Sequence, residues 1–177
     1  LATRDTNALC GDGRLLGESI GRVEGPGVCG IDRAVRLTSV AGVPLSQPSV
    51  MDCNTARTFA DWVQNAAGPT YADEGGVAQV RVAAHYVCRT RNHQPGAKIS
   101  EHGKGKAVDV SALTLGSGRV VTVRDGWRDP KDGPRLRRLH GAACGPFGTV
   151  LGPESDQWHQ SHFHFDTASH RGGSYCR

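Results

Sequence analysis

The sequence predicts one α+β domain, built on a small central and mainly antiparallel sheet that is flanked by a few helices and stapled by disulfides. Its 177 residues are enough for one hydrophobic core and hardly for two. Segments that alternate like strands are interspersed with segments of helical spacing, without any repeat. The 24 glycines and the hydrophobic content of 37% are typical of a loop-rich domain rather than of a helical bundle.

The first part of the chain is expected to be irregular. Residues 1–30 are rich in glycine, include two cysteines and show little periodicity, which predicts an irregular N-terminal arm. Residues 31–48 contain short strand-like pieces around Ala41-Gly42, which is a plausible hairpin turn. A helix is predicted from Asp52, because cap-type residues precede apolar residues at helical spacing. Gly68-Pro69 is expected to end it.

The rest of the chain is predicted to contain strands and one more helix. The segment 88–105 carries loop-type residues. Strands are predicted over 77–87, Ala107–Leu115, 119–123 and 162–166, with a hairpin turn at 116–118, and a helix is predicted over 134–143. Residues 31–177 are therefore expected to form the folded domain, with residues 1–30 as its arm.

The six cysteines are scattered and form no C-x-x-C pair, which argues against a zinc ribbon. A disulfide framework fits this spacing better and implies a periplasmic or extracellular setting. Reduced, buried cysteines of a cytosolic protein are the alternative. The expected pairs are Cys10 with Cys29, Cys53 with Cys144, and Cys88 with Cys176.

The net charge of the chain limits the classes of possible binding partner only in part. The net charge is +4 and the pI is about 8.9, which suits an anionic polymer such as a cell wall, or nucleic acid. The one basic cluster, residues 135–138, lies in a predicted helix and is interpreted as a solvated face. No run of apolar residues is long enough for a membrane span, and the polar start predicts a mature or trimmed form.

The late segment HFHFD (162–166) carries a row of polar side chains. On a strand, alternate residues share a face, so His162, His164 and Asp166 are expected to point one way. Phe163 and Phe165 then point into the core. Two imidazoles held this rigidly on a strand are suited to binding a metal.

The segment SEHGKGKAVDV (100–110) is a candidate for the other half of that site. Fully extended, the chain from His102 to Asp109 would span about 23 Å, whereas two donors on one zinc lie about 3–3.5 Å apart. Gly103 and Gly105 permit the sharp return that this requires. His102, Asp109 and one late histidine would leave a fourth position open, as in catalytic zinc sites. The glycine and lysine spacing of a phosphate-binding P-loop is missing.

These motifs resemble known families. SEHGKGKAVDV fits the S-x-H-x-x-G-x-A-x-D element, and HFHFD the later H-x-H, of zinc peptidases that include D-Ala-D-Ala metallopeptidases, lysostaphin-type enzymes and the hedgehog signalling domain. The chain is more similar to the bacterial extensin-like C-terminal domain family, over roughly residues 26–177. The shared motifs are CRTRN (88–92), PGAKISEH (95–102), CGPFGTVLGP (144–153), HFHFD (162–166) and the terminal YCR.

The resemblance implies a set of metal ligands and a base. It implies that zinc is held by His102, Asp109 and His164, with His162 unligated beside the open position. Some relatives have a glutamate base three positions before the last ligand, where this chain has Ser161. Relatives with H-x-H often carry a histidine five positions before that ligand, here His159. His162 is therefore expected to be the principal base or transition-state stabiliser, with His159 beside it.

The resemblance also implies substrate-binding residues. Arg89 is the best match to an arginine that contacts substrate in many relatives, although a shifted register keeps Arg91 possible. Ser100 is expected to orient the loop or the substrate. Glu101 is expected to be exposed, because neighbours on an extended segment point apart.

The implied function is zinc-dependent hydrolysis of amide bonds in peptidoglycan stem peptides or cross-links, by a monomer in the periplasm or outside the cell. Nucleic acid is not an expected partner. One alternative is a module of the same fold that binds peptidoglycan or a protein without turnover. A weaker one is a histidine-dependent nuclease, which rests only on basicity and paired histidines. For each proposed ligand, the competing interpretation is an ordinary polar residue of a loop or strand.

Overall fold

The computed structural model describes residues 7–177, which fold around one sheet of nine strands. The main path of the sheet runs β1-β2-β3-β4-β5-β8-β7-β9, and β6 pairs with β5. The strands are β1 (Leu15–Glu24), β2 (Gly30–Val40), β3 (Val43–Asp52), β4 (Val77–Ala84), β5 (Ala107–Leu115), β6 (Val120–Thr122), β7 (Thr149–Leu151), β8 (Phe163–Asp166) and β9 (Tyr175–Cys176). The α+β class is confirmed.

The sheet is mixed and larger than expected. β3 and β4 run parallel where Leu45 pairs with Val80, and β7 and β9 also run parallel. The other neighbouring strands are antiparallel. The prediction of a small, mainly antiparallel sheet therefore needs correction. Both parallel pairings join strands that are distant in sequence, and local alternation carries no information about them.

The irregular arm predicted for residues 1–30 is wrong for its second half, because Leu15–Glu24 forms β1 against β2. The register of this pair shifts three times, next to Gly17 and on both sides of Gly21. Bulges of this kind interrupt the alternation by which strands are recognised in a sequence. Residues 1–6 lie outside the described part of the chain.

The helices are α1 (Cys53–Trp62), α2 (Gly68–Thr70), α3 (Val123–Gly126) and α4 (Asp132–Ala143), with a π-helical turn Val63–Ala67 between α1 and α2. The predicted end at Gly68-Pro69 is wrong, since helical structure continues to Thr70. In the π-helical turn Gly68 donates to the Val63 carbonyl. This wider turn accommodates Pro69, which lacks an N–H. None of the described helices is both long and apolar enough to cross a membrane.

Aromatic packing fixes β8 in the core. The ring of Phe165 lies 5.0 Å from those of Trp62 and Phe147, between centroids. Trp62 also donates its indole N–H to the Leu139 carbonyl at 2.9 Å, which ties α1 to α4. Since Phe163 and Phe165 are buried on one side of β8, the intervening His164 is directed to the other side.

Three disulfides staple the fold, as predicted, but in a different pattern from the expected one. The pairs are Cys10–Cys53, Cys29–Cys88 and Cys144–Cys176. The expected Cys10–Cys29, Cys53–Cys144 and Cys88–Cys176 pairs are wrong. The bonds join a turn before β1 to the start of α1, the segment before β2 to the loop after β4, and the end of α4 to β9. These proximities depend on the whole topology rather than on cysteine spacing.

Candidate functional site

A tight turn between the loop 88–99 and β5 positions the first candidate residue. Glu101–Lys104 forms a 3₁₀ turn that begins at Ser100, whose side chain accepts a hydrogen bond from the His102 N–H. The turn ends at Gly105, which has a φ of 68°. The chain thus reverses at the glycines, as predicted, and His102 is fully buried.

Gly105 has a second reason to be glycine. A Cβ at this position would lie 2.3 Å from Ile31 Cδ1, so a side chain requires the buried Ile31 to move. We expect Gly105→Ala to lower the free energy of unfolding by about 2–4 kcal/mol, from a left-handed backbone combined with overpacking. Gly96 is a matched control, because its φ is 76° but a Cβ there would meet nothing within 4 Å. Urea unfolding should show a loss of only about 1–2 kcal/mol for Gly96→Ala, and equal losses would contradict the steric argument.

Strand pairing brings the other two candidates together. β5 and β8 are antiparallel, and Asp109 lies directly opposite His164. Two atoms of the histidines approach the same carboxylate oxygen, Asp109 Oδ1. His102 Nε2 is 3.1 Å from it and His164 Nδ1 is 3.0 Å from it. The potential ligand atoms of these three buried residues all lie within 4.8 Å of one another.

The outer nitrogen of each imidazole is already engaged. His102 Nδ1 lies 2.8 Å from the His85 carbonyl, an acceptor, and must therefore carry the proton that it donates. His164 Nε2 lies 2.8 Å from Asp166 Oδ2 and donates to it in the same way. In the neutral imidazoles, the lone pairs of His102 Nε2 and His164 Nδ1 then face the Asp109 carboxylate. Such an arrangement requires a cation, either a proton or a metal ion.

The protonation equilibria reflect this need for positive charge. Burial alone would raise the pKa of Asp109, but His102 and His164 hold it well below its usual range. Burial lowers the pKa of His164, yet its hydrogen bonds to Asp109 and Asp166 outweigh this effect and raise the pKa to about 9. A divalent cation at this position would replace the proton on His164. The donor set therefore fits a metal ion.

Two further histidines line the edge of this cluster. His162 Nε2 is 3.5 Å from Asp109 Oδ2, and its side chain is 18% exposed. Burial lowers the pKa of His162, against the attraction of Asp109. The His159 ring lies 5.1 Å from that of His162, and its Nδ1 donates to Asp156 at 2.6 Å. The three-residue group thus includes His164 rather than His162, and His162 and His159 stand beside it.

An open cleft of about 660 Å³ gives access to the cluster. Arg89, Arg91 and Ser100, the predicted substrate-binding residues, line it together with His159 and His164. Arg89 donates to the Thr90 carbonyl at 3.2 Å, and Arg91 is exposed.

Glu101 also lines the cleft, and the expectation that it is exposed is wrong. It is 9% exposed and accepts from Lys104 Nζ at 2.9 Å. The 3₁₀ turn explains this burial, because neighbouring side chains point apart only on extended backbone.

The family of the chain follows from a comparison with known families. Residues 10–177 match the family described as Extensin-like protein C-terminus. The chain belongs to this extensin-like family. No match was found among curated proteins or among solved structures.

Three groups of this extensin-like domain support the site and were not assigned from its sequence. They are the carboxylates of Asp156 and Asp166 and the backbone carbonyl of His85. The role of Asp166 could have been recognised from the sequence, because this residue follows the H-x-H motif on the same face of the strand. Asp156 lies in a loop, and no sequence pattern reveals the direction of a backbone carbonyl.

We expect Asp166→Asn to weaken the binding of an added divalent metal ion by about 10–100-fold, the range typical of outer partners of ligating histidines. Asp166 accepts from His164 Nε2 on one oxygen and from the Ala168 N–H on the other, at 2.8 and 3.0 Å. An amide offers one acceptor oxygen for these two donors. Competition with a chromogenic chelator measures the affinity, and Asp125→Asn removes the same charge from an exposed residue. Similar metal affinities of the two variants would rule out this role.

Proposed function

We propose that the protein is a zinc-dependent peptidoglycan peptidase that hydrolyses amide bonds in stem peptides or cross-links. The observation that carries the proposal is the convergence of His102 Nε2, His164 Nδ1 and Asp109 Oδ1, with both outer nitrogens committed to other acceptors. A set of two histidines and one carboxylate with room for a further ligand is typical of catalytic zinc. Zinc in such a site polarises the scissile carbonyl and activates water.

The chain itself supplies the proton transfer. His162 is next to the ligand cluster, reaches solvent and carries no committed donor, so it is our candidate for the base that later protonates the leaving amine. His159 is the second candidate, since its Nδ1–H is given to Asp156 and its Nε2 remains free to accept a proton. Ser161 stands at the position of the glutamate base of some relatives and cannot replace it.

Peptidoglycan is proposed on three grounds: the resemblance to cell-wall peptidases, the net charge of +4 and the arginines of the cleft. Arg89 and Arg91 are suited to the carboxylates of stem peptides. Three disulfides are typical of an oxidising compartment, which supports a periplasmic or secreted protein. We propose that it acts there as a monomer.

The test is incubation of the protein with purified sacculi, with and without a chelator. Release of soluble muropeptides that stops with chelator and resumes with added zinc is expected. Mass spectrometry of the products would identify the bond. Intact sacculi after incubation with zinc-loaded protein would refute the peptidase, and plasmid nicking would favour a nuclease instead.

One observation favours a second candidate, a zinc-containing module that binds peptidoglycan or a protein without turnover. Ser161 removes the glutamate base of some relatives, so the metal site alone does not guarantee catalysis. Cosedimentation with sacculi without release of muropeptides would support the module.

A further inference from the structure

A second cleft, of about 710 Å³, lies beside the turn that carries His102. Lys104, at the end of that turn, lines this second cleft. Glu101, at the start of the turn, lines the 660 Å³ cleft beside His164, which we call the candidate active-site cleft. The ion pair between these two side chains, at 2.9 Å, connects the two clefts. We call the second one the cationic cleft, because five of the 21 lysines and arginines of the chain line it: Arg22, Arg33, Arg57, Lys104 and Lys106.

The acidic residues of the cationic cleft offset this charge only partly. Asp52 is committed to capping α1, where it accepts from the Thr55 N–H at 2.7 Å. Glu24 lies 3.5 Å from Arg22, and Asp32 is exposed. Among the described residues, Arg33, Arg57 and Lys106 are exposed and have no ion-pair partner. Arg57 donates to the Cys10 carbonyl at 3.0 Å, so the charges of Arg33 and Lys106 are the ones most available to a ligand.

The start of α1 also borders the cationic cleft. Asp52, Cys53 and Asn54 line the cationic cleft, which therefore faces the N-terminal end of a ten-residue helix. The Asp52 carboxylate already meets the partial positive charge of this helix end, so attraction of an anion to the cleft comes from the lysine and arginine side chains. Since the turn Glu101–Lys104 is shared with the candidate active-site cleft, an anionic chain bound here would run close to the metal ligands.

We propose that the cationic cleft is a second binding site for the substrate polymer, which takes up carboxylate-bearing peptides away from the bond that is cut. The identity of the polymer rests on the proposed function. A peptide fits better than single-stranded nucleic acid, because none of the described residues that line the cleft is an aromatic that could stack on bases. Glu24 and Asp32 can also accept hydrogen bonds from the backbone N–H groups of a peptide.

The test uses labelled poly-L-glutamate as the probe, with binding followed by fluorescence anisotropy. The double variant Arg33→Glu/Lys106→Glu reverses both unpaired charges and should bind at least about tenfold more weakly at low salt. Arg124→Glu/Arg128→Glu is the matched control, because it makes the same charge change at exposed arginines outside the cleft. We expect this control to lose no more than about threefold. Zinc stoichiometry and the unfolding midpoint check that each variant is folded.

Three results would overturn the inference. They are no binding of poly-L-glutamate to the unaltered protein, equal losses in the two double variants, or tighter binding of single-stranded DNA of the same charge. None of these depends on hydrolysis. Failure of the proposed peptidase function gives a different result. In that case the sacculi stay intact, while the protein still binds the probe through Arg33 and Lys106.

Discussion

His164→Ala is expected to abolish both zinc binding and hydrolysis of peptidoglycan. His164 Nδ1 is one of three buried donor atoms that converge, and Asp166 holds its other nitrogen. Alanine removes a ligand and also leaves Asp166 buried without its imidazole partner. The zinc affinity should therefore fall by more than the roughly 100-fold that loss of an outer partner causes. Metal content after dialysis, together with muropeptide release, measures both losses.

His162→Ala is the contrasting variant, two residues earlier on the same segment. His162 reaches only the far oxygen of Asp109, at 3.5 Å, and lies outside the group of three ligands. We expect this variant to keep most of its zinc while hydrolysis falls by about 10²–10⁴-fold, the usual contribution of a general base. Equal zinc loss in the two variants would mean that the ligand and the base are wrongly assigned.

His159→Ala separates the two candidate bases. If His162 is the principal base, the loss of activity should be smaller for His159→Ala than for His162→Ala. A larger loss of activity for His159→Ala would instead identify His159, held by Asp156, as the principal base. Zinc content should stay near that of the unaltered protein, because the His159 nitrogens lie outside the group of three ligands.

The location of the site could be predicted from the sequence because its parts are local patterns. The glycines around His102 indicate a reversal, the valines beside Asp109 indicate a strand, and alternation in 162–166 orients His164. Their meeting depends on the pairing of β5 with β8, which no local pattern indicates but which the hypothesis of a shared metal site required. Asp156 and the His85 carbonyl hold the rings of His159 and His102 by hydrogen bonds. These contacts depend on side-chain rotamers and on the direction of the backbone, which no sequence pattern indicates.

The fold class and several helices and strands could be predicted from the sequence, but the pairing of distant strands could not. The hairpin at Ala41-Gly42, the helix from Cys53 and the strand Ala107–Leu115 appear where periodicity and turn residues indicated them. β7 and β9, with three and two residues, are too short to show any alternation. They exist because β8 and the Cys144–Cys176 bond hold them in place, and such tertiary effects override local preference.

Loss of the Cys29–Cys88 disulfide is expected to affect both stability and the metal site. The bond closes a segment with a sequence separation of 59, so replacing both cysteines with alanine should lower the free energy of unfolding by about 4 kcal/mol. The disulfide also packs against the turn, since a Cβ at Gly103 would lie 2.9 Å from Cys29 Sγ. The residues on either side of Cys88 contact this turn, as Val87 donates to the His102 carbonyl and the Arg89 carbonyl accepts from Ser100.

Cys144–Cys176 is the matched control for this effect. Its sequence separation is 32, and the chain-entropy argument gives a stability loss that is again about 4 kcal/mol. It joins the end of α4 to β9 and makes no such contact with the turn of His102. Both alanine double variants should therefore unfold at similarly reduced urea concentrations, while only the Cys29/Cys88 variant should also bind zinc more weakly in its folded state. Equal zinc affinities would show that the turn holds His102 in place without the disulfide.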